Sequence, residues 1–228
     1  MSITSPISSA PTVTDPIGYI AHQLTAFPLP GEAAQYRLAP ASRLEDVRLA
    51  RQQEAFRQCA VLLMLYQDMP GQEWFLPLIR RAGGRHVHAN QIALAGGKQE
   101  PEDADLWATA IRENDEELGI PSSKVECIGR LSPVHIPVSA FSIYPFVGKC
   151  RMVKPLFHPA SDEVGELYRL PLKVLLKLKP TTRTVAANHK TMNVPAFDWD
   201  GCIIWGATAM ILSEWQAVCQ KIPGHQCF

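Results

Sequence analysis

Three glutamates within a short stretch of predicted helix could hold a metal ion, and an arginine lies beside them. Arg112, Glu113, Glu116 and Glu117 stand just before Gly119. Positions three and four apart share one face of a helix, so the three carboxylates converge. Close carboxylates repel one another, and a divalent cation with a preference for oxygen ligands, Mg²⁺ or Mn²⁺, removes that cost. Arg112 lies four residues before Glu116 and can pair with a carboxylate to fix its orientation.

The same glutamates have a simpler interpretation as a solvated helix face, which is the commoner role of acidic residues on helices. The order of the surrounding features favours chemistry instead. An apolar segment leads to Gly96-Gly97, and an acidic loop then leads into the helix that carries the glutamates. The two glycines predict a turn at which the backbone can approach a ligand closely. This ordered combination predicts a metal site.

The elements that must position these residues are strands mixed with helices. Residues 104–118 predict a helix with Asp103 as its N-cap and Gly119 just past its end. Apolar runs over 60–66 and 74–79 predict a hairpin of strands. Further elements are predicted over residues 91–94, 125–131, 143–150 and 164–170 (strands), 173–178 and 206–220 (helices) and 184–197 (a hairpin). This mixture indicates an α/β (α+β) sandwich.

The start of the chain differs from the remainder, and we expect residues 1–59 to be an N-terminal extension of a domain over 60–228. Residues 1–14 are rich in Ser, Thr and Pro and are expected to be poorly ordered. Asp15-Pro16 predicts a helix start, and residues 42–57 predict a second helix.

Composition argues against several classes of protein. The 22 basic residues balance 22 acidic ones, so nothing favours broad electrostatic capture of nucleic acid or of an acidic membrane. No apolar run reaches the length of a membrane span, and no signal-type segment opens the chain. The six cysteines are scattered without a C-x-x-C pair, so buried reduced thiols are expected rather than a zinc site. We expect a cytoplasmic protein.

Basic residues lie on both sides of the two glycines. Arginines occupy a predicted loop before them, and a lysine follows them directly. Guanidinium groups suit phosphate, although a solvated basic loop is the alternative interpretation. The candidate substrate-binding residues are Arg80, Arg81, Arg85, Gly96, Gly97 and Lys98.

The acidic segment resembles the Nudix box, G-x5-E-x7-R-E-U-x-E-E-x-G-U, in which U is apolar. The matching residues are Gly97, Arg112, Glu113, Glu116, Glu117, Gly119 and Ile120. The interval from Gly97 to Arg112 is one residue longer than in this pattern, as is familiar from the coenzyme A diphosphatase branch. That branch has a stretch resembling L-R-x-H-x-G-Q-V-x-F-P-G-G before the box, and this chain has Arg85 and His88 ahead of Asn90-Gln91.

Several residues depart from these patterns. Asn114 takes an apolar position of the box, and Asp103 offers a carboxylate where the first Glu is expected. Before the box, Asn90 replaces a glycine, and Leu94-Ala95 replaces Phe-Pro. Asn tolerates a left-handed backbone better than most residues. The metal ligands are unaffected, whereas the match to the coenzyme A branch is weakened.

The resemblance implies the Nudix fold, with a mixed β-sheet packed between helices, and attack of water on a diphosphate phosphorus. It implies that Glu113, Glu116 and Glu117 are catalytic residues and ligands of Mg²⁺ or Mn²⁺, with Arg112 beside them. Glu117 or a late carboxylate, Glu163, would be the general base, and a solvated loop residue is the alternative interpretation of Glu163.

Three functions are consistent with this resemblance. The first is hydrolysis of coenzyme A or acyl-coenzyme A to 3′,5′-ADP and (acyl-)phosphopantetheine, whose 3′-phosphate a basic cluster would suit. The second is hydrolysis of nucleoside triphosphates or nucleotide sugars, and the third is a non-catalytic nucleotide-binding module. The expected partner is a small-molecule diphosphate without nucleic acid or membrane, and a homodimer is an open alternative to a monomer.

Overall fold

A mixed β-sheet forms the centre of the computed structural model, which describes residues 15–40, 56–83, 88–137, 140–187 and 190–222. The strands of this sheet are β1 (Arg57–Gln67), β2 (Trp74–Arg81), β3 (Ile92–Ala93), β4 (Ala95–Lys98), β5 (Val125–Arg130), β6 (Val134–Ile136), β7 (Phe141–Val153) and β8 (Val164–Pro171). A smaller sheet contains β9 (Thr181–Ala187), β10 (Lys190–Trp199) and β11 (Cys202–Trp205). The helices are α1 (Pro16–Ala26), α2 (Glu32–Gln35), α3 (Leu106–Leu118), α4 (Leu172–Leu175) and α5 (Gly206–Cys219).

Strand β1 organises the large sheet. One of its edges pairs in parallel with β7, beginning at Arg57 opposite Phe141. Its other edge is shared, because β4 pairs with its first half and β2 pairs with its end in an antiparallel hairpin. The glycines of β4 therefore lie directly beside the strand at the centre of the sheet.

Alternation along β1 divides the core between the two faces of the sheet. Leu63 and Leu65 pack on one face with apolar residues of α1 and α5. Leu62 and Met64 pack on the other face with apolar residues of α3. The sheet is thus packed between helices, which confirms the predicted α/β sandwich and Nudix-like layering.

The N-terminal helices join the larger of these two cores. Asp15 caps α1 as predicted, since its Oδ1 accepts from the Gly18 N–H at 2.9 Å. Residues of α1 and α2 contact α5. The predicted division of the chain at residue 60 stays a prediction. Most of the predicted helix over 42–57 lies outside the described residues, and its last residue, Arg57, begins β1 instead.

The structure corrects two local predictions. Arg80 and Arg81 were expected in a loop but belong to β2, because pairing with β8 extends that strand beyond its apolar run. Gly96 and Gly97 were expected in a turn but lie in β4, paired with β1.

The described cysteines are buried free thiols, as predicted, with one exception. None of those described is in a disulfide; Cys59, Cys150, Cys202 and Cys219 are buried, and Cys127 is exposed. Within the described ranges, no helix combines the length and apolar character that crossing a membrane requires.

A buried carboxylate fixes α2 to α5. Glu214 has no solvent-accessible surface, and its oxygens accept from the Gly31 N–H at 2.9 Å and the Gln35 amide at 2.8 Å. The Ser132 N–H also donates to it, at 3.1 Å. Three donors from two distant segments thus depend on one side chain.

We predict that Glu214→Ala lowers the free energy of unfolding by about 2 to 4 kcal/mol, because one buried and two partly buried donors lose their acceptor. Urea unfolding followed by fluorescence measures the change. The matched control is Glu126→Ala, which removes an exposed carboxylate paired with Arg151 and should cost only about 0.5 kcal/mol. Equal effects of the two substitutions would contradict this role of Glu214.

Candidate active site

Helix α3 is held at both ends by local signals in its sequence. Its N-cap is Asp105, whose Oδ1 accepts from the Ala108 N–H at 2.8 Å, rather than the predicted Asp103. At the other end Gly119 has φ +69°, the left-handed conformation that glycine adopts without steric cost, as predicted. Ala110 and Leu118 are buried against the sheet. This packing directs Glu113 and Glu117 towards β4.

Glu117 is the most deeply buried acid of the helix. Its side chain is 1% exposed, and its Oε2 accepts from the Gly96 N–H at 2.8 Å. Burial raises the pKa of Glu117 to about 7, although Arg81 and the Gly96 N–H lower it and the charges of Glu113 and Glu163 raise it further. Arg81 Nη2 lies 3.5 Å from Oε1. The position thus holds a carboxylate whose charge is incompletely balanced.

Glu113 lies against Gly97 of β4. A Cβ atom at Gly97 would overlap the Glu113 carboxylate in this conformation, so the glycine leaves room for that side chain to lie against β4. Burial also raises the pKa of Glu113, opposed by Arg112 and reinforced by Glu116 and Glu163. The glycine therefore permits the close approach that the sequence predicted, but it does so within a strand.

Arg112 connects the acidic residues around it. Its Nε and Nη2 each donate to one oxygen of Asp103 at 2.9 Å. Its Nη1 lies 3.0 Å from Glu113 and 2.9 Å from Glu116, and Nη2 also donates to the Lys98 carbonyl at 3.1 Å. The hydrogen bonds from Arg112 are the main reason why the pKa of Asp103 is lowered. Arg112 is thus fixed between β4 and the glutamates.

Asp103 is the residue whose role the sequence left open. Counted from Gly97, Asp103 stands at the position of the first Glu in the box. The one residue by which this chain exceeds the box pattern therefore falls between Asp103 and Arg112. The Asp103 carboxylate also accepts from the Glu100 N–H and the Thr109 hydroxyl, both at 2.9 Å. The position of Asp103 in the box was recognised from the sequence, whereas its pairing with Arg112 depends on the folded chain.

Asn114 departs from the apolar box position at a structural cost. It is completely buried, and its Oδ1 has no hydrogen-bond partner. Its amide nitrogen lies 3.5 Å from the Ile120 carbonyl, at the limit of a hydrogen bond. Within the described residues, the Asn114 side chain is therefore in contact with the Ile120 carbonyl and not hydrogen-bonded to the glutamates beside it.

The loop that carries Glu163 is attached to the end of α3. The His158 N–H donates to the Leu118 carbonyl at 2.9 Å, and the Ala160 N–H donates to the Glu117 carbonyl at 3.2 Å. The Glu163 carbonyl in turn accepts from the Ala82 N–H at 2.8 Å. The Glu163 carboxylate is exposed, and its charge raises the pKa values of Glu113 and Glu117, so it lies within electrostatic range of the acidic centre that Glu113, Glu116 and Glu117 form.

The structure separates the predicted basic residues. Arg81 contacts Glu117 beside the acidic centre. Arg80 points to the other side of β2, where its Nε lies 3.0 Å from the Tyr168 hydroxyl and 3.2 Å from Glu166. Lys98 adjoins Gly97 at the end of β4. Arg85 lies outside the described residues.

Comparison with known families agrees with this arrangement. The NUDIX domain family matches residues 56–188, which is more than half of the chain. The chain belongs to the Nudix family. It is 35% identical over 139 residues to the Nudix hydrolase NudL of Yersinia pestis (strain Pestoides F), covering 60% of this chain and 68% of that protein. The same values apply to NudL of Yersinia pseudotuberculosis serotype O:1b (strain IP 31758).

Two solved structures are also similar to this Nudix protein. A MutT/nudix family protein from Enterococcus faecalis has a TM-score of 0.47 and 16% identity, covering 83% of this chain and 73% of that one. The MutT protein from Methanosarcina mazei Go1 has a TM-score of 0.48 and 16% identity, covering 75% and 99% respectively. The protein is a Nudix hydrolase, an enzyme that cleaves a diphosphate linkage.

Nudix hydrolases generally use divalent metal ions, and the charge of the acidic centre fits such an ion. Burial raises the pKa values of Glu113 and Glu117, so a cation beside them would stabilise their ionised forms. Glu116 is 57% exposed and can move to join them. In this conformation no three acidic, His or Cys side chains of the described ranges surround one point, because Arg112 lies between Glu113 and Glu116.

We predict that Asp103→Asn lowers kcat/KM about tenfold, because Arg112 loses the charged partner that orients it. Steady-state kinetics with a cleaved diphosphate substrate measure the change. The matched control is Asp105→Asn, which should retain activity because Asn caps a helix about as well as Asp. Wild-type kinetics in Asp103→Asn would show that this pair does not position Arg112.

A second prediction concerns the pH dependence of stability. Because the pKa of Glu117 is about 7 in the folded state and near the ordinary value when unfolded, the unfolded chain loses its proton first as pH rises. Stability should therefore fall between about pH 4.5 and pH 7, and Glu117→Gln should remove about 3 kcal/mol of this loss.

Urea unfolding from pH 4 to pH 8, with divalent cations chelated, provides the measurement. Glu117→Gln and wild type should differ most at pH 8 and converge at the acid end. The control is the exposed neighbour, Glu116→Gln, which should leave the pH slope unchanged. A difference between Glu117→Gln and wild type that is constant with pH would contradict the raised pKa of Glu117.

Proposed function

We propose that this Nudix hydrolase cleaves the diphosphate of coenzyme A or acyl-coenzyme A, giving 3′,5′-ADP and (acyl-)phosphopantetheine. The observation that carries the proposal is the pairing of Asp103 with Arg112 across the longer interval. The additional residue of the box is accommodated without loss of the carboxylate–arginine pair, and this interval resembles that of the coenzyme A diphosphatase branch.

The turn before the box supports the same assignment. Asn90 stands where the branch has glycine, and its φ of +62° is the left-handed conformation that glycine would adopt. Leu94 and Ala95, which replace Phe-Pro, are both buried and keep the apolar character of that position. The local geometry therefore tolerates two of the departures from the branch pattern.

The proposed metal ligands are Glu113, Glu116 and Glu117, with Mg²⁺ or Mn²⁺ as the ion. When bound, the ion supplies positive charge opposite the oxygens of the diphosphate. Arg112 would keep Glu113 and Glu116 in place, and Arg81 would contact the diphosphate beside Glu117. Bidentate contact with phosphate oxygens is the geometry for which a guanidinium is suited.

Glu163 is the proposed general base. Its carboxylate is exposed and within electrostatic range of the acidic centre, so it is open to a water molecule, whereas Glu117 is buried and already accepts from the Gly96 N–H. In the proposed step, Glu163 accepts a proton from water as the water oxygen attacks one phosphorus. The bond from that phosphorus to the bridging oxygen breaks, and the other half of the substrate leaves as a phosphomonoester. The cytoplasmic location and the homodimer stay predictions.

The test is incubation of the purified enzyme with coenzyme A and Mg²⁺ or Mn²⁺, with products identified by mass spectrometry. ADP-ribose, NADH, diadenosine polyphosphates and nucleoside triphosphates run in parallel. We expect metal-dependent 3′,5′-ADP, which Glu116→Gln and Glu117→Gln abolish. Cleavage of another substrate instead would overturn the coenzyme A assignment and favour the nucleotide alternative, and binding without cleavage would favour a non-catalytic module.

Glu163→Gln tests the base within the same assay. It should lower kcat about 100-fold with little change in KM, since only the proton transfer is lost. The matched control is Glu166→Gln, three residues further along, where the carboxylate contacts Arg80 on the other side of β2. Equal kinetics of these two variants would exclude Glu163 as the base.

A further inference from the structure

Two basic side chains meet over one aromatic ring at the end of the large sheet. Arg57 Cζ lies 4.3 Å from the centroid of the Phe141 ring, and Lys98 Nζ lies 5.7 Å from it. Cations over a ring face are attracted by its quadrupole, so Phe141 holds both side chains in place. Two positive charges are thereby kept within about 10 Å of each other, the sum of the two distances, on a partly exposed surface.

The pairing of three strands produces this arrangement. Arg57 of β1 lies opposite Phe141 of β7, and Lys98 of β4 lies opposite Cys59, two residues further along β1. Paired residues point to the same face of a sheet, and so do residues two apart on one strand. The long side chains of Arg57 and Lys98 therefore share one face and reach the ring between them.

This pair of cations adjoins the acidic centre. Lys98 follows Gly97, which lies against Glu113, and the Lys98 carbonyl accepts from Arg112 Nη2 at 3.1 Å. The thiol of Cys59 offers a second indication of proximity. Burial raises its pKa to about 11, Lys98, Arg57 and Arg81 lower it, and Glu113 raises it, so all four charges lie within electrostatic range of one sulfur atom.

We propose that Arg57 and Lys98, held on Phe141, form a second anion-binding position for a phosphomonoester that the substrate carries outside the diphosphate being cleaved. The assignment rests on the proposed function, and in coenzyme A the group is the 3′-phosphate. A phosphomonoester is close to a dianion at neutral pH. It would accept several charge-assisted hydrogen bonds from the two cations.

A substrate pair that differs only in this phosphate gives the test. Coenzyme A and dephospho-coenzyme A are compared by the ratio of their kcat/KM values in the wild-type enzyme, Arg57→Met and Lys98→Met. We expect the wild type to favour coenzyme A about tenfold and each variant to reduce that ratio about fivefold, mainly through KM.

The matched control is Lys149→Met. Lys149 Nζ lies 6.0 Å from the ring centroid of Trp74, a similar cation–ring contact elsewhere on the sheet. Its removal should leave the ratio at the wild-type value. Thermal unfolding of each variant separates a lost contact from a lost fold, and because the ratio compares two substrates on one enzyme, a uniform loss of active protein cancels.

The outcomes separate this assignment from the function on which it rests. Equal kcat/KM values for the two substrates in the wild type, or a ratio unchanged in both Arg57→Met and Lys98→Met, would overturn the second anion position and leave coenzyme A hydrolysis standing. Absence of cleavage of either substrate by the wild type would overturn the proposed function, and the phosphomonoester assignment with it.

Discussion

The arrangement of the site depends on two glutamate carboxylates that are buried beside β4. Glu113 and Glu117 enter a region where burial alone raises their pKa values, and few positive groups oppose that effect. The backbone of β4 accommodates both carboxylates. The Gly96 N–H donates to Glu117, and Gly97 leaves space for Glu113. Without a ligand, it is costly for the folded chain to keep these two buried carboxylates ionised. A bound cation would supply the missing positive charge and stabilise their ionised forms.

The fixed charge of Arg112 sets the geometry around these acids. Asp103 binds it from the loop before α3, and Glu113 and Glu116 bind it from the helix itself. An arginine with a bidentate partner has little freedom to rotate, so the direction of its remaining N–H groups is determined by Asp103. Next to this network, the buried Oδ1 of Asn114 has no hydrogen-bond partner, which costs stability. The apolar contacts of Ala110 and Leu118 with the sheet offset that cost.

Local sequence signals predicted those features that depend on neighbours along the chain. The hairpin of β1 and β2, the Asp15 cap and the left-handed Gly119 all follow from short-range patterns. Features that depend on distant partners were missed. Arg81 is in a strand because Val164 pairs with it, and nothing near Arg81 in sequence carries that information. The N-cap was misplaced because Asp103 and Asp105 are equally good caps, and only the distant Arg112 decides which of them is left for capping.

Contacts between distant residues also attach the loop of the proposed base, Glu163, to helix α3. The Ala160 N–H binds the carbonyl of Glu117, so the loop that carries Glu163 is attached through its backbone to the turn of helix that carries a proposed metal ligand. Phe157 secures the start of this loop, since its ring lies 5.2 Å from that of Tyr66. Gly119 makes the attachment feasible, because a Cβ there would stand 2.8 Å from that of His158. The spacing between the proposed ligand and the proposed base is thereby set by main-chain hydrogen bonds, which a substitution of either acidic side chain leaves in place.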